Sequence, residues 1–240
     1  IQDTASLAAG TGVKIESTDG SVAINENITA TAGDIDIDAN DNSPSATLTV
    51  TNAALQADDG RITLNSDGQM TLNNSSLTAT DNIWLHTAAG SIALTTTTIK
   101  STGGSVDVYA ATNNRTITMN ANSSITADGY VTMSAHGKTT AGNISAGDDI
   151  LLSSRNNTIE VIAGTGVKST AGEIYLHAAD MIIGADVATE SGDIYVLRGN
   201  GNITIGANTG GTLGLDNTDI GHLKADENHA LIIGRGRRYN

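Results

Sequence analysis

Short alternating runs of apolar and polar residues recur along the whole chain. Each run begins at a turn residue, usually glycine, and continues with two apolar residues separated by one variable residue, as in Gly60-Arg61-Ile62-Thr63-Leu64. Because alternate side chains of a β-strand point to opposite faces, this period of two predicts strands of about five residues. Apolar residues three and four apart, the mark of an amphipathic helix, do not recur. The runs begin at positions 20, 33, 60, 68, 82, 90, 104, 129, 149, 172, 192 and 201.

The spacing of these runs indicates an internal repeat. Runs at 60, 82 and 104 are 22 residues apart, as are the runs at 68 and 90, and further strands are predicted between them at 76–79 and 98–101. The connections are too short for a crossover helix, which excludes βαβ units. The sequence therefore predicts an all-β fold, a right-handed parallel β-helix (β-solenoid) of roughly 11 coils, with each strand paired to its equivalent one coil later.

The composition fits a narrow β-helix better than an ordinary globular enzyme. The 240 residues include no Phe, one Trp, five Tyr and no Cys. A slim interior takes Ile, Val, Leu and Ala in register, whereas a compact enzyme core of this size usually contains several large aromatic residues. We expect a single β-helix domain over residues 1–234 and a basic tail or linker over 235–240. We also expect outward loops at 38–47 and 110–115, and flanking segments of a longer chain.

Charge and hydropathy narrow the classes of function. A net charge of −14 at pH 7 argues against nucleic-acid binding, which needs a basic face. The absence of Cys excludes disulfides and zinc–thiolate sites. The sequence contains no run of 18 apolar residues, so no membrane-spanning segment is predicted. Walker motifs, phosphate-cradling loops and Ser/His/Asp constellations are not found in the sequence, so neither a cofactor nor an enzymatic activity is predicted.

The variable residue of each run is predicted to face solvent, and several aromatic residues occupy this position. Trp84, Tyr175 and Tyr195 are three of them. Because Tyr175 and Tyr195 are one coil apart, their rings are predicted to stack outside the core, with Leu151 beneath them. His177 lies two residues beyond Tyr175 and is therefore predicted on the same face.

Two interpretations of these exposed rings stay open. In the structural one, stacked rings stiffen a solvent-facing sheet by about 0.5–1.5 kcal/mol per aromatic pair. In the functional one, the rings form an adhesive strip for sugars or for a partner protein, as exposed aromatics do at many interfaces. The candidate ligand-binding residues are then Trp84, Tyr175, Tyr195 and His177. Host or neighbouring-cell glycans or surface proteins are the candidate partners.

Asp36 and Asp38 form a weak calcium candidate. Both lie in an acidic strand, at alternate positions that project the same way, and carboxylate oxygens suit Ca²⁺. The segment lacks the glycine-rich nonapeptide spacing of calcium-binding solenoids and is not an EF-hand loop. A solvated charged strand is therefore the favoured interpretation, and no metal site is predicted elsewhere.

Threonines are abundant but are not predicted to form a regular array. Thr47, Thr49 and Thr51 alternate within one strand, and a run of threonines covers 95–98. These local runs do not recur at the coil spacing in the sequence. The regular threonine face that ice binding requires is therefore not expected.

The repeated runs resemble those of a known family of secreted proteins. The recurring pattern is similar to the repeats of filamentous haemagglutinin-type exoproteins. It consists of glycine, a small polar or acidic residue, Ile or Val, any residue and a further aliphatic residue. The segment 215–234, which ends in Leu231-Ile232-Ile233-Gly234, is similar to an irregular coil followed by a strand in that family. These proteins are large adhesins that Gram-negative bacteria export by two-partner secretion. The resemblance covers nearly the whole chain but assigns no functional residue.

The resemblance implies a repeat shaft that is secreted and displayed on the bacterial cell surface. On this interpretation the chain is a structural spacer, with weak carbohydrate or protein binding on its exposed rings. The alternative is an extracellular polysaccharide-active β-helix enzyme. Such an enzyme would need carboxylates from neighbouring coils to converge inside a groove, so the depth of any groove separates the two hypotheses.

Overall fold

The structure is a computed structural model that describes residues 6–40, 45–198, 202–206 and 213–235. The central part of the expected loop at 38–47, and residues 236–240 of the expected basic tail, lie outside the described residues. Among the described residues one short helix accompanies 28 strands. In chain order these elements are β1 Ser6–Ala9, β2 Val13–Ser17, β3 Val22–Ile24, β4 Asn27–Ala30, β5 Ile35–Ala39, β6 Leu48–Thr51, β7 Ala54–Ala57, β8 Ile62–Ser66, β9 Met70–Asn73, β10 Ser76–Ala79, β11 Ile83–Thr87, β12 Ile92–Thr95, β13 Thr98–Ser101, β14 Val106–Ala110, β15 Ile117–Met119, β16 Ser124–Ala127, β17 Val131–Ala135, β18 Thr139–Ala141, β19 Asn143–Ala146, β20 Ile150–Val161, β21 Val167–Ser169, β22 Ile174–Ile183, β23 Val187–Thr189, β24 Ile194–Arg198, β25 Ile203–Ile205, β26 Leu213–Leu215, α1 Asn217–Gly221, β27 Leu223–Lys224 and β28 Leu231–Arg235.

The strands stack into a β-solenoid with three faces, which confirms the predicted β-helix. Face A is a ten-stranded parallel sheet in the order β1-β4-β7-β10-β13-β16-β19-β21-β23-β27. Face B runs from β2, β5 and β8 through β11, β14 and β17 to the first parts of β20 and β22, and then to β24 and β28. Face C contains β3, β6, β9, β12, β15, β18 and the second parts of β20 and β22.

One strand from each face forms a turn of the solenoid, here called a rung. Rung 1 contains β1, β2 and β3, rung 2 contains β4, β5 and β6, and the numbering continues to rung 9, which contains β23 and β24. There are about nine turns, close to the predicted number. In rung 7 the single strand β20 continues from face B onto face C, with a register shift between Ser154 and Thr158 where it turns the corner.

Aliphatic side chains fill the interior because the inward positions of each strand match those of the next rung. Ile35, Ile62, Ile83 and Val106 follow one another in one such column, and none of them is accessible to solvent. The core cluster formed by the described residues contains no aromatic ring. Layers spaced by the strand separation of about 4.8 Å leave little room for larger side chains. This explains why the chain needs so few aromatic residues.

Small hydroxyl side chains occupy several inward positions at the corners, where they form hydrogen bonds. Ser66, Ser101 and Ser169 are buried at the ends of their strands, and each hydroxyl donates to a backbone carbonyl, at 2.8, 2.6 and 2.8 Å respectively. A buried hydroxyl without such a partner would cost stability. These serines therefore place a partnered hydroxyl at the corners, where the backbone turns from one face to the next.

The C-terminal part departs from the regular stack. β25 and β26 pair only with each other, and α1 follows them before β27 and β28 add to faces A and B. Asp216 caps the helix, accepting from the backbone N–H groups of Thr218 and Asp219 at 2.7 and 2.9 Å. In the part of the chain that the structure describes, no helix has the length and apolar character needed to cross a membrane.

Candidate functional site

The outward side chains of face B form two columns along the rod, and these columns contain the candidate ligand-binding residues. Strand pairing gives the order within each column. Column 1 is Lys14, Asp36, Thr63, Trp84, Asp107, Thr132, Leu151, Tyr175, Tyr195 and Ile232. Column 2 is Glu16, Asp38, Asn65, His86, Tyr109, Ser134, Ser153, His177, Leu197 and Gly234.

Tyr175 and Tyr195 stack as the sequence predicts. Their ring centroids are 4.8 Å apart and the ring planes differ by 10°. The Tyr175 hydroxyl donates to Glu173, and the Tyr195 hydroxyl lies 3.2 Å from Asp193 Oδ2 and 3.4 Å from Glu173 Oε1. Partial burial, together with these two carboxylates, raises the pKa of Tyr195. The Tyr195 phenol therefore stays protonated and neutral at physiological pH.

The stacking determines what a ligand could contact. One face of each tyrosine ring is covered by the other ring, and Leu151 and Ile232 occupy the flanking positions of column 1. Flat sugar faces bind best to ring faces that are free, whereas here the stacked faces turn towards each other. A ligand at this position would contact mainly ring edges and hydroxyls, so the structural role of the pair has direct support while ligand binding stays a prediction.

Trp84 lies in the same column but not in the same cluster. Four rung spacings, about 19 Å, separate it from Tyr175, and Asp107, Thr132 and Leu151 lie between them. The guanidinium carbon of Arg61 lies 5.3 Å from the centroid of the Trp84 ring, in cation–π contact. The exposed rings therefore form two separate groups rather than one continuous strip.

A second pair of rings accompanies Trp84. His86 and Tyr109 occupy successive positions of column 2, with centroids 5.9 Å apart in an edge-to-face arrangement. His86 Nε2 also lies 3.2 Å from Asp107 Oδ2. These contacts join neighbouring rungs across the sheet, as the structural interpretation requires.

His177 is partly buried between Ser153 and Leu197 in column 2. Burial lowers its pKa, and the nearby positive charge of Arg155 lowers it further. The imidazole is therefore neutral at pH 7. A neutral histidine beside Tyr175 could donate or accept a hydrogen bond but adds no positive charge to the surface.

Near the corner between faces B and C, side chains from several rungs form a cluster that was not predicted from the sequence. His136 lies directly after β17, and its Nδ1 is 2.9 Å from Asn113 Oδ1. As with His177, burial and Arg155 lower its pKa. These residues come from four different rungs, so only the strand register shows that they are neighbours.

Asp36 and Asp38 both project from face B, as expected, but they lie in different columns. Lys14 precedes Asp36 and Glu16 precedes Asp38 in the register, and Lys14 Nζ is 2.7 Å from Glu16 Oε2. Burial raises the pKa of Asp38, and the charges of Glu16 and Asp67 raise it further. Within the described ranges, no group of three or more His, Asp or Glu side chains is arranged to hold a metal ion. Two carboxylates supply far fewer ligands than the six to eight oxygens that Ca²⁺ takes.

Carboxylates at the corner between faces A and B hold the backbone of the next rung. Asp34 Oδ1 accepts from Arg61 N at 3.0 Å, Asp149 Oδ1 from Glu173 N at 2.7 Å, and Asp193 Oδ1 from the N–H of residue 230 at 2.8 Å. This backbone hydrogen bond is the main reason that the pKa of Asp193 is lowered. These side chains therefore connect successive rungs.

The register places several of the threonines in one column of face C. The central outward column of face C contains Ala23, Thr49, Thr71, Ala93, Thr118 and Thr140 in successive rungs. The repeat is hidden in the sequence because the loop at 111–116 lengthens one coil, so that Ala93 pairs with a residue 25 positions later. Threonine thus occupies four of the six positions and alanine the other two, and Thr140 is buried, so the column is interrupted and not regular.

The contacts of these outward side chains support structural roles most directly. The rings and corner carboxylates described above contact side chains or backbone N–H groups one rung away. Comparisons with protein-family models, with curated sequences and with solved structures returned no match. The function is therefore argued from the geometry and from the resemblance of the repeats.

Proposed function

We propose that this chain is a section of the shaft of a large bacterial surface protein, exported from the cell, in which it acts as a rod-like spacer. The observation that carries the proposal is the continuous register of face A, in which ten strands pair in parallel from β1 to β27. The similarity of the repeats to those of filamentous haemagglutinin-type exoproteins supports the secreted location.

The stack has the mechanical features that a spacer needs. Each rung buries its own aliphatic layer, and β-strand hydrogen bonds join it to the rungs on either side. In such an architecture stability is approximately a sum over rungs and their interfaces, and each rung adds the same length. Nine rungs at about 4.8 Å give a rod of about 43 Å.

An adhesive contribution of the exposed rings forms the second part of the proposal. Trp84, Tyr175, Tyr195 and His177 lie partly exposed on face B, in two groups. Their partners would be glycans or surface proteins of host or neighbouring cells. Because the tyrosine faces are stacked on each other, we expect contacts at ring edges and hydroxyls, and therefore weak binding.

The polysaccharide-active alternative has less support. Asp149, Glu173 and Asp193 come from neighbouring rungs and lie along one corner, as carboxylates of a β-helix enzyme would. Asp149 and Asp193 each accept a backbone hydrogen bond from the next rung, however, and Glu173 accepts from Tyr175. Carboxylates that hold the backbone in this way are poorly placed for general acid–base catalysis.

The spacer proposal predicts that deletion of one whole rung shortens the rod by one rung spacing and leaves the remaining rungs stacked. Spin labels on Thr29→Cys and Ser145→Cys lie five rung spacings apart on face A, about 24 Å, and the natural chain has no cysteine that would interfere. Deletion of residues 58–79 removes β8, β9 and β10 and joins equivalent points of two rungs. We expect a distance of about 19 Å by pulsed electron spin resonance, with cooperative unfolding retained.

The control deletion removes only half a rung. Loss of residues 58–68 deletes β8 alone and places the next strands out of phase with the core, so we expect loss of cooperative unfolding. An unchanged label distance after deletion of 58–79, or equal disruption by the two deletions, would contradict the spacer proposal.

The adhesive part is tested by a glycan-array screen. We expect weak binding by the natural chain and loss of that signal in the triple variant Trp84→Ala, Tyr175→Ala, Tyr195→Ala. The control is Tyr130→Ala, which removes an exposed ring directly before β17 that belongs to neither column. Binding that survives the triple change, or no binding by the natural chain, would refute the adhesive part and leave the spacer proposal intact.

A further inference from the structure

The first five rungs of face C present a surface without charge. This surface, called the hydroxyl face below, consists of the outward side chains within residues 21–25, 47–51, 69–73, 91–95 and 116–120, on and beside β3, β6, β9, β12 and β15. None of these segments contains a charged residue, although the chain has 26 acidic and 12 basic residues. The outward positions are occupied by Thr, Ser, Asn, Gln and Ala. Charge is thus absent from these five rungs of face C, although the chain as a whole is strongly acidic.

The hydroxyl face has a two-dimensional repeat. Its central column is Ala23, Thr49, Thr71, Ala93 and Thr118, at the rung spacing of about 4.8 Å. Along a strand, alternate side chains recur at about 6.8 Å. The outward hydroxyls therefore lie on a nearly rectangular grid.

The grid is held rigidly from behind. Leu48, Met70 and Ile92 are the inward residues of three successive strands and have no solvent exposure. Neighbouring outward groups are also connected, because Thr47 Oγ1 lies 3.0 Å from Ser21 Oγ and the backbone N–H of residue 116 donates to Ser91 Oγ at 3.0 Å. β-Branched threonine has few χ1 rotamers on a strand. Hydroxyl and methyl positions on this face are accordingly well defined.

Size and charge select among the possible occupants of the hydroxyl face. Five rungs and three outward positions span about 19 Å by 14 Å, or about 260 Å². A stable protein interface needs about 800 Å² per partner, so a second copy of the chain is a poor candidate. A charged polymer would find no opposite charge here. An uncharged lattice that is itself rigid and periodic matches both the neutrality and the grid.

We propose that the hydroxyl face binds the surface of ice. Threonine presents a hydroxyl that can join a water lattice and a methyl that can lie between lattice waters. Charged side chains, by contrast, hold their own hydration shells and disrupt that order. The rung spacing is close to the short lattice repeat of hexagonal ice, so successive threonines meet equivalent water positions. On this basis the shaft would attach the bacterium to ice, in addition to its proposed role as a spacer.

The experiment measures partitioning of the fluorescently labelled chain into a growing ice hemisphere, together with inhibition of ice recrystallisation. We expect the natural chain to enter the ice and Thr71→Lys to reduce the incorporated fraction at least fivefold. The matched control is Thr78→Lys, which places the same charge at a similarly exposed position on face A. We expect this control to enter ice as the natural chain does.

Thermal unfolding of both variants checks that each retains the β-solenoid. Exclusion of the natural chain from ice would overturn the proposal, as would equal losses in the two folded variants. If Thr71→Lys fails to fold, Thr49→Val serves instead, because it keeps the methyl shape and removes one hydroxyl. In that variant an unchanged ice fraction would contradict a role for the hydroxyl. The outcome is independent of the rung-deletion experiment, since length and ice binding are measured separately.

Discussion

Replacement of Leu85 by alanine is expected to lower the free energy of unfolding by about 3–5 kcal/mol. Leu85 lies on β11 with no solvent exposure, between Leu64 and Val108 of the adjacent rungs. The cavity cannot close easily, because backbone hydrogen bonds on all three faces keep the rungs apart at a fixed spacing. Denaturant unfolding followed by circular dichroism gives the change directly.

The chain offers a matched control for this substitution. Leu151 is also a leucine of face B, but it lies in column 1 and is partly exposed. Leu151→Ala should cost about 1 kcal/mol or less, because most of its surface change occurs at the solvent boundary. Equal losses at the two positions would show that the inward and outward assignment of the strands is wrong.

Substitution of Gly90 by alanine is the second change expected to have a large effect. Gly90 sits at the corner between faces B and C, where an added Cβ would lie 2.0 Å from the carbonyl oxygen of Gly68 and 2.4 Å from the backbone nitrogen of Gln69. Both are backbone atoms of the preceding rung, so relief requires the rungs to separate. We expect a loss of about 3 kcal/mol, measured as a lower midpoint of thermal or denaturant unfolding.

Gly10→Ala is the control for the close approach at Gly90. A Cβ at Gly10 meets no atom within 4 Å, so its effect should stay within about 0.5 kcal/mol. A Gly90→Ala protein as stable as the natural chain would mean that the corners of neighbouring rungs are farther apart than described.

The sequence predicted the fold because one local pattern encodes both the strand and its inward face. In 60–64 and 82–85, for example, the same alternation places Ile62 and Ile83 inward, and these residues pair in the structure. The repeat spacing then predicts parallel pairing one coil later. The pattern was wrong about the run beginning at 201, which it placed in the repeat, because β25 pairs with β26 in a separate two-stranded sheet.

The surface was less predictable because it depends on register over several rungs. The spacing of 20 residues was enough to predict the stack of Tyr175 on Tyr195. The contact of Arg61 with Trp84 and the threonine column of face C depend on coils of unequal length, which one sequence does not align. Hydrogen bonds from backbone N–H groups to corner carboxylates such as Asp149 could not be predicted from sequence either, because they depend on backbone geometry.

The pairing of each rung only with its immediate neighbours also limits how far damage can spread. The outward turn at 111–116 contains Asn114, whose φ of 62° places it in the left-handed region, and residues 112–115 are exposed. A protease that cleaved the chain in this turn would leave two fragments, each with its own aliphatic layers. The fragments would stay paired through β12 with β15, β13 with β16 and β14 with β17. A shaft cleaved at this turn would therefore remain one continuous rod.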